Sequence, residues 1–355
     1  MLRLKPIHIL YLFIPASVIS SKVMGHSVAT FCLSVLALIP LSILIGQATE
    51  QLALHFGPLV GGLMNATFGN ATELVIGLFG LQAGLLPMVR ASITGSIIGN
   101  LLLVLGMGAL AGGMKHKEQE FGKPTGSLMS TLMLLAVIGL VVPAVFSTAG
   151  EGPHPGPAQT LSLSVVVAVV LLVTYCLGLL FSLKTHHSLF TDQEAAPVEI
   201  PTWSKQRATV ALLATTLLVC LESELVVRSV SITARQSGLT QMFIGVIIVA
   251  IVGNASEHAT AVWMAYKGRM DICVSVAVGS SAQIALFVAP VLVLGSLSMA
   301  HPLNFIFAPF ELIAVILAVA IAHFVGLDGK TNWFEGAQLL AVYLILAAAF
   351  YYLPG

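Results

Sequence analysis

The chain has 355 residues, 57% of them hydrophobic and 8% charged, with a mean hydropathy of +1.00 and a formal net charge of zero. A water-soluble domain carries about a quarter charged residues to cover its surface, so lipid must be the solvent for much of this molecule. The balanced charge leaves no electrostatic footprint for nucleic acid, nor for a basic protein lying on a membrane surface.

Stretches of about twenty apolar residues predict membrane helices, and about eleven follow one another here. They cover residues 7–23, 27–54, 58–83, 87–113, 127–149, 158–184, 207–229, 240–266, 271–298, 303–325 and 332–353. The opening MLRLKP has the look of a signal peptide, but no small-residue cleavage site follows and many spans come after, so it reads as a retained helix. Polar punctuation between spans is short, except for residues 186–205, which hold Asp192, Glu194 and Glu199. The expected organisation is an extra helix over 1–25, a five-helix unit over 26–186, a cytoplasmic linker over 187–205 and a second five-helix unit over 206–355. Cys32, Cys176, Cys220 and Cys273 lie in apolar runs without metal-ligand spacing and are expected to be small buried hydrophobes.

Basic residues set the orientation. With a cytoplasmic N-terminus and alternating spans, the inside holds Arg3, Lys5, Lys115, Lys117, Lys123, Lys184, Lys205, Arg207, Lys267, Arg269 and Lys330. The outside holds only Lys22, Arg90, Arg228 and Arg235. The reverse topology would place the larger group on the wrong side.

Two segments match without a gap. GNATELVIGLFGLQAG, continuing to TGSIIGN, aligns with GNASEHATAVWMAYKG, continuing to VGSSAQI. Asn70 pairs with Asn254, Glu73 with Glu257 and Ser96 with Ser280, all at an offset of 184 positions. A looser match sets Thr49-Glu50 against Ser223-Glu224. With an odd number of helices per unit, the second copy enters the membrane from the opposite side. The expected fold is therefore all-α, two inverted five-helix repeats after one extra helix, with a site near the midplane between them.

Ionised carboxylates are expensive in hydrocarbon and face a cavity or a partner. Glu73 and Glu257 fall mid-span in the two copies, and an inverted two-fold axis brings them together. Such a pair repels itself unless a cation sits between the two groups or protons neutralise them. These are the two states of an exchanger in which a divalent ion and protons compete for one site. Calcium takes six to eight oxygens, and Asn70, Asn254, Ser96, Ser280, Asn100 and Gln283 supply amide and hydroxyl oxygens nearby. Thiolate ligands are absent, which disfavours a soft metal.

Each element also has a plainer reading. GNA and GS pairs suit close helix packing, and Asn side chains can simply join helices. Packing does not require a glutamate in both copies. Asn100 and Gln283 miss the 184 offset, and His258 faces Leu74 in the other copy, so it either tunes Glu257 or bonds a neighbour. Glu50, Glu222 and Glu224 read as lying toward helix ends, where Glu50 and Glu224 are gating candidates. Glu224 and Arg228, four apart, are expected to pair locally, and Glu311 has no evident partner.

GNATEL at 69–74, GNASEH at 253–258, GSIIGNLLLVLGM at 95–107 and GSSAQIALFVAPVLVL at 279–294 resemble the calcium/proton exchanger branch of the cation/calcium exchanger superfamily. The resemblance covers nearly the whole chain. It implies Glu73 and Glu257 as calcium and proton sites and the helices near 27–54 and 207–229 as mobile gates. It also implies a multi-pass protein of a prokaryotic cell membrane whose partners are the lipid bilayer and calcium ions, with a homo-oligomer allowed. No cofactor is implied beyond calcium and protons as transported ions. The acidic stretch that such proteins often carry between their halves is thin here.

A sodium/calcium exchanger is the nearest rival, but the helix after the second motif offers Ser280, Ser281 and Gln283 where sodium coupling favours an added acid. A divalent-cation channel fits a sealed carboxylate pair less well. An intramembrane metalloprotease needs two histidines flanking the glutamate, and Thr260 and Leu74 break that pattern, so no enzyme activity is expected.

Overall fold

The structure is a computed structural model that describes residues 7–121, 123–148, 154–185 and 200–354. Most of the expected linker, 187–199, lies outside the described residues. After a helical turn at Ile7–Leu10 come α1 (Phe13–Met24), α2 (Val28–Phe56), α3 (Pro58–Phe68), α4 (Ala71–Gln82) and α5 (Leu86–Gly113). Then follow β1 (Gln119–Glu120), α6 (Lys123–Phe146), α7 (Pro157–Thr185), α8 (Lys205–Ser237), α9 (Gln241–Gly253) and α10 (Ala255–Tyr266). The chain closes with α11 (Met270–Ser298), α12 (Pro309–Gly326), β2 (Lys330–Thr331) and α13 (Trp333–Tyr352).

Each of the eleven apolar stretches is occupied by helix. Among the described residues seven helices are long and apolar enough to cross a membrane, or eight with the bent pair α9–α10 taken as one span. Phe13–Met24, Ala71–Gln82 and Thr131–Phe146 are apolar but shorter. Large apolar side chains stand outward, among them Leu217 (72% exposed), Leu344 (65%) and Val166 (59%). Water would penalise such a surface and acyl chains do not, so the molecule is an integral multi-pass membrane protein.

Several boundaries depart from the apolar pattern. Helix α8 runs to Ser237 rather than 229, because a helix continues past the point where Arg228 and Arg235 lower the hydropathy. Glu222 therefore sits halfway along it and not near its end. The stretch from 303 begins as irregular backbone, and helix starts only at Pro309. That backbone is buried, with Leu303 and Phe305 at 0% exposure, and it borrows donors' partners from serines. Leu303 N–H donates to Ser296 Oγ at 2.8 Å and Phe305 N–H to Ser164 Oγ at 3.0 Å. Non-helical chain at this depth is tolerated only with such internal partners.

The cysteines also differ from expectation. All four are free thiols, but only Cys273 is buried, whereas Cys32 and Cys176 are exposed. A lipid-facing surface welcomes a small apolar side chain as well as a core does. Near the linker's end, Gln51 Oε1 of α2 accepts from the N–H groups of Thr202 (2.7 Å) and Trp203 (3.0 Å), seating the chain before α8.

Helices α2 and α8 pack along one another, and α5 crosses α9 and α13. The α5–α9 crossing is made by glycines. A Cβ at Gly95 would collide with the backbone of Val246, and one at Gly245 with the Met88 carbonyl. Close backbone approach between small residues replaces hydrophobic drive inside a membrane. Far from this crossing, β1 and β2 pair antiparallel, and Lys330 bridges Glu120 (2.9 Å) and Glu118 (3.4 Å), which hold its ammonium above the usual lysine range.

Gly95→Val should push α5 off α9 and cost about 1–3 kcal/mol by overpacking. Thermal melting in detergent reads it, and an unchanged melting temperature would contradict the crossing's importance.

Candidate functional site

The two matched motifs fold alike. Helix α3 ends at Phe68, the chain turns at Gly69 and Asn70, and α4 restarts at Ala71. Helix α9 ends at Gly253, and α10 restarts at Ala255 with its axis bent by 62°. Asn70 (φ −102°, ψ 24°) and Asn254 (φ −91°, ψ 13°) take the same backbone conformation at the two breaks. The asparagines are therefore the N-cap positions at the two breaks.

This places Glu73 and Glu257 in the first turns of α4 and α10. A helix N-terminus presents unsatisfied N–H groups and the positive end of the dipole, so it favours negative charge. Glu73 is 8% exposed. Its carboxyl packs against Gly253 of the other motif, close enough that an added Cβ would sit 3.1 Å from Cδ. Glu257 is half-buried as a residue with its Oε2 fully covered.

A hydrogen-bond network knits the surrounding side chains. Asn254 Nδ2 donates to Ser96 Oγ at 2.9 Å and to the Ala250 carbonyl at 2.9 Å. Asn100 Nδ2 donates to Ser280 Oγ at 3.0 Å and, more distantly, to Asn254 Oδ1 at 3.5 Å. His258 Nε2 lies 3.2 Å from Asn100 Oδ1. On the other side Asn70 Nδ2 donates to Gln283 Oε1 at 2.6 Å. Widened π-helical turns at Gly99–Val104 and Ile284–Val288 follow Ser96 and Ser280. Such turns recur at functional sites because they re-aim side chains.

Asn254, Ser96, Asn100, Ser280 and His258 join this network, Asn70 and Gln283 form a separate pair, and Glu73 and Glu257 follow the two asparagines in the first turns of α4 and α10. Glu50 and Glu224 stand apart. Glu50 is exposed on α2, and Glu224 pairs with Arg228 at 2.5 Å on a partly exposed face of α8. Three acceptors at the two motifs are buried without a donor, namely Asn70 Oδ1, Glu73 Oε2 and Glu257 Oε2. Acceptor-only oxygens left bare in a buried place are what a cation or added protons would satisfy. Among the described residues no three His, Cys, Asp or Glu side chains are grouped to hold a metal. A cation here would rely on two carboxylates with amide and hydroxyl oxygens.

Other residues escaped the sequence reading. Ser42 of α2 bonds Thr72 at 3.1 Å, and Gly46 of α2 lies against the Ser256 hydroxyl. Thr72 and Ser256 are themselves partners at the 184 offset, so the repeat held the signal for them. Glu311 is not alone. Its Oε2 accepts from Ala308 N–H at 2.8 Å as the N-terminal cap of α12, and its Oε1 accepts from Thr94 at 3.1 Å. Arg90 lies near and holds the Asn304 side chain at 2.5 Å.

Residues 26–184 and 207–352 match the family described as sodium/calcium exchanger protein. The chain is 44% identical to the Ca(2+)/H(+) antiporter of Aphanothece halophytica over 97% of this chain and 96% of that one. It is also 44% identical to the Ca(2+)/H(+) antiporter ChaA of Bacillus subtilis (strain 168), covering 96% and 97% of the two chains. The solved structure of native YfkE superposes with a TM-score of 0.86 at 41% identity, over 98% of this chain and all of that one.

Asn254 makes three side-chain links where Asn70 makes one. Leaving buried partners unmade costs about 1–3 kcal/mol each, so Asn254→Leu should lower the melting temperature in detergent more than Asn70→Leu. Equal losses, or the reverse order, would contradict the network.

Proposed function

The chain belongs to the sodium/calcium exchanger protein family, on its calcium/proton antiporter branch, and on that premise we propose that it exchanges calcium for protons across a bilayer. The observation that carries the reading is the set of bare buried acceptors, Asn70 Oδ1, Glu73 Oε2 and Glu257 Oε2, at two helix restarts. In the calcium-loaded state Glu73 and Glu257 are both anionic ligands. The Asn70 carbonyl completes part of the shell, and Ser96, Ser280, Asn254, Asn100 and Gln283 supply oxygens or hold those that do. In the proton-loaded state each carboxyl takes a proton, so the pair is neutral without the metal. Neutralising both takes two protons, the charge of one calcium ion. Competition at one site is the coupling, and no separate proton route is needed.

His258 acts through Asn100. By bonding the Asn100 carbonyl it fixes the amide so that Nδ2 faces Ser280 and Asn254. Transport proceeds by alternating access. Helices α2 and α8 are the mobile gates, a role supported by the contacts of α2 with Thr72 and Ser256 beside the two glutamates. Glu50 and Glu224 lie on these helices as gate residues.

The framework for this motion is two inverted five-helix units, 26–186 and 206–355, after the extra helix 1–25, with eleven spans in all. Support comes from the constant offset of 184, from the matching backbone at Asn70 and Asn254, and from a family match that falls in two stretches. The basic-residue bias favours a cytoplasmic N-terminus and a cytoplasmic linker over 187–205, and the bacterial relative supports a prokaryotic cell membrane.

Calcium uptake into proteoliposomes under an imposed pH gradient tests the reading. Uptake should follow the pH gradient and ignore sodium; uptake that follows sodium and ignores pH would overturn proton coupling. Glu73→Gln and Glu257→Gln should each abolish it while the protein stays folded, and transport retained by either would refute the shared site. Gln283→Leu strands the Asn70 amide donor and should weaken calcium binding about tenfold, the equivalent of about 1.4 kcal/mol within the range for an unmade buried bond. Calorimetry in detergent reads that loss.

A further inference from the structure

Glu222 has no solvent exposure, lies halfway along α8 and takes no part in the exchange chemistry described above. Its Oε1 is 2.7 Å from the Ser17 hydroxyl of α1. Its Oε2 and the buried Ser34 hydroxyl of α2 are each without a hydrogen-bond partner. One carboxyl therefore joins α8 to α1, outside the expected repeats, where both pack against α2, the other proposed gate.

Counting hydrogens at Ser17 identifies its form. Ser17 Oγ is also 2.7 Å from the Ile14 carbonyl oxygen. Both distances are those of made O–H···O bonds. A serine hydroxyl owns one hydrogen, while a carbonyl and an ionised carboxylate own none. Two unshared bonds between three such oxygens need two hydrogens. A protonated Glu222 supplies the second: its O–H donates to Ser17 Oγ, and the Ser17 O–H donates to Ile14.

Electrostatics agrees. A lone carboxylate at this depth needs a counter-charge. The titratable side chains on the elements around α8 are Tyr11 and Lys22 beside or on α1, Cys32, Glu50 and His55 on α2, and Glu73 on α4. On α8 itself they include Cys220, Glu224 and Arg228, and α9 carries none. Among the described residues no salt bridge reaches Glu222. Arg228 is committed to Glu224.

We propose that Glu222 is a proton-binding site separate from the transport pair, where a neutral carboxylic acid donates to Ser17 and docks α1 on the gate helices. A separate polar tie between α1 and α2, Ser20 to Thr30 at 2.9 Å, carries no titratable group. Removing the Glu222 proton takes away one of the two hydrogens at Ser17 and leaves a charge at the three-helix junction. The seating of α1 is thereby sensitive to alkaline pH, while the ion-to-proton ratio of transport does not depend on this proton.

Infrared difference spectroscopy of the full chain in liposomes at neutral pH, without calcium, tests the assignment. Wild type minus Glu222→Gln should show one protonated-carboxyl C=O band, and the same band should appear when the subtraction is made in a Glu73→Gln/Glu257→Gln background. In Ser17→Ala the band should move to higher frequency as the acid loses its acceptor. A difference made only of carboxylate stretches, or a band unmoved by Ser17→Ala, would overturn the proposal. Should Glu222→Gln fail to fold, the Ser17→Ala comparison decides alone: a shifted band supports the site and an unshifted one removes it.

Discussion

Negative charge is costly wherever water is excluded, and that cost organises the centre of this molecule. Glu73 and Glu257 are held at the start of helices, where free N–H groups and the dipole favour an anion. The break that creates each start is a Gly-Asn pair. Gly253 lets the Glu73 carboxyl approach the opposite motif, and the asparagine side chain reaches across to the neighbouring helix. Even so, one oxygen on each carboxyl stays bare. The scaffold reduces the cost of the charge without removing it, which is the condition for an ion or protons to be wanted there.

The two motifs share a backbone but not a network. Asn254 is tied to Ser96, Asn100 and the Ala250 carbonyl, whereas Asn70 has a single link to Gln283 and keeps its carbonyl bare. Asn100 and Gln283 cause the difference, since they sit one place out of register around the two widened turns. His258 deepens it by bonding Asn100, for its counterpart is Leu74 and has nothing to offer. One motif is braced and the other is left open, so the two glutamates meet unequal surroundings although each follows a Gly-Asn-Ala start.

What could be read from the sequence was whatever depends on local pattern. Apolar length marked the helices, a gapless offset paired the motifs, and a four-residue spacing gave the Glu224–Arg228 ion pair. Contacts between distant segments stayed hidden. Glu311 had no visible partner because Thr94 lies 217 positions away and its other bond is a backbone cap. Glu222 seemed terminal because hydropathy falls near Arg228, yet the helix continues to Ser237. The cysteines were assigned to the core by a rule for water-soluble proteins, and Cys32 and Cys176 face outward where lipid is the solvent. The break at each asparagine did not show, because a Gly-Asn-Ala stretch also suits close helix packing, so the restart that makes Glu73 and Glu257 first-turn residues stayed hidden.

The most direct test of a site shared by calcium and protons is to count protons released as calcium binds to the purified protein in weakly buffered detergent, with a pH indicator and no membrane gradient. Near neutral pH, calcium should expel protons from the wild type, and the release should vanish along with calcium binding in Glu73→Gln or Glu257→Gln. Stoichiometric calcium binding with no proton release at any pH would contradict the shared site.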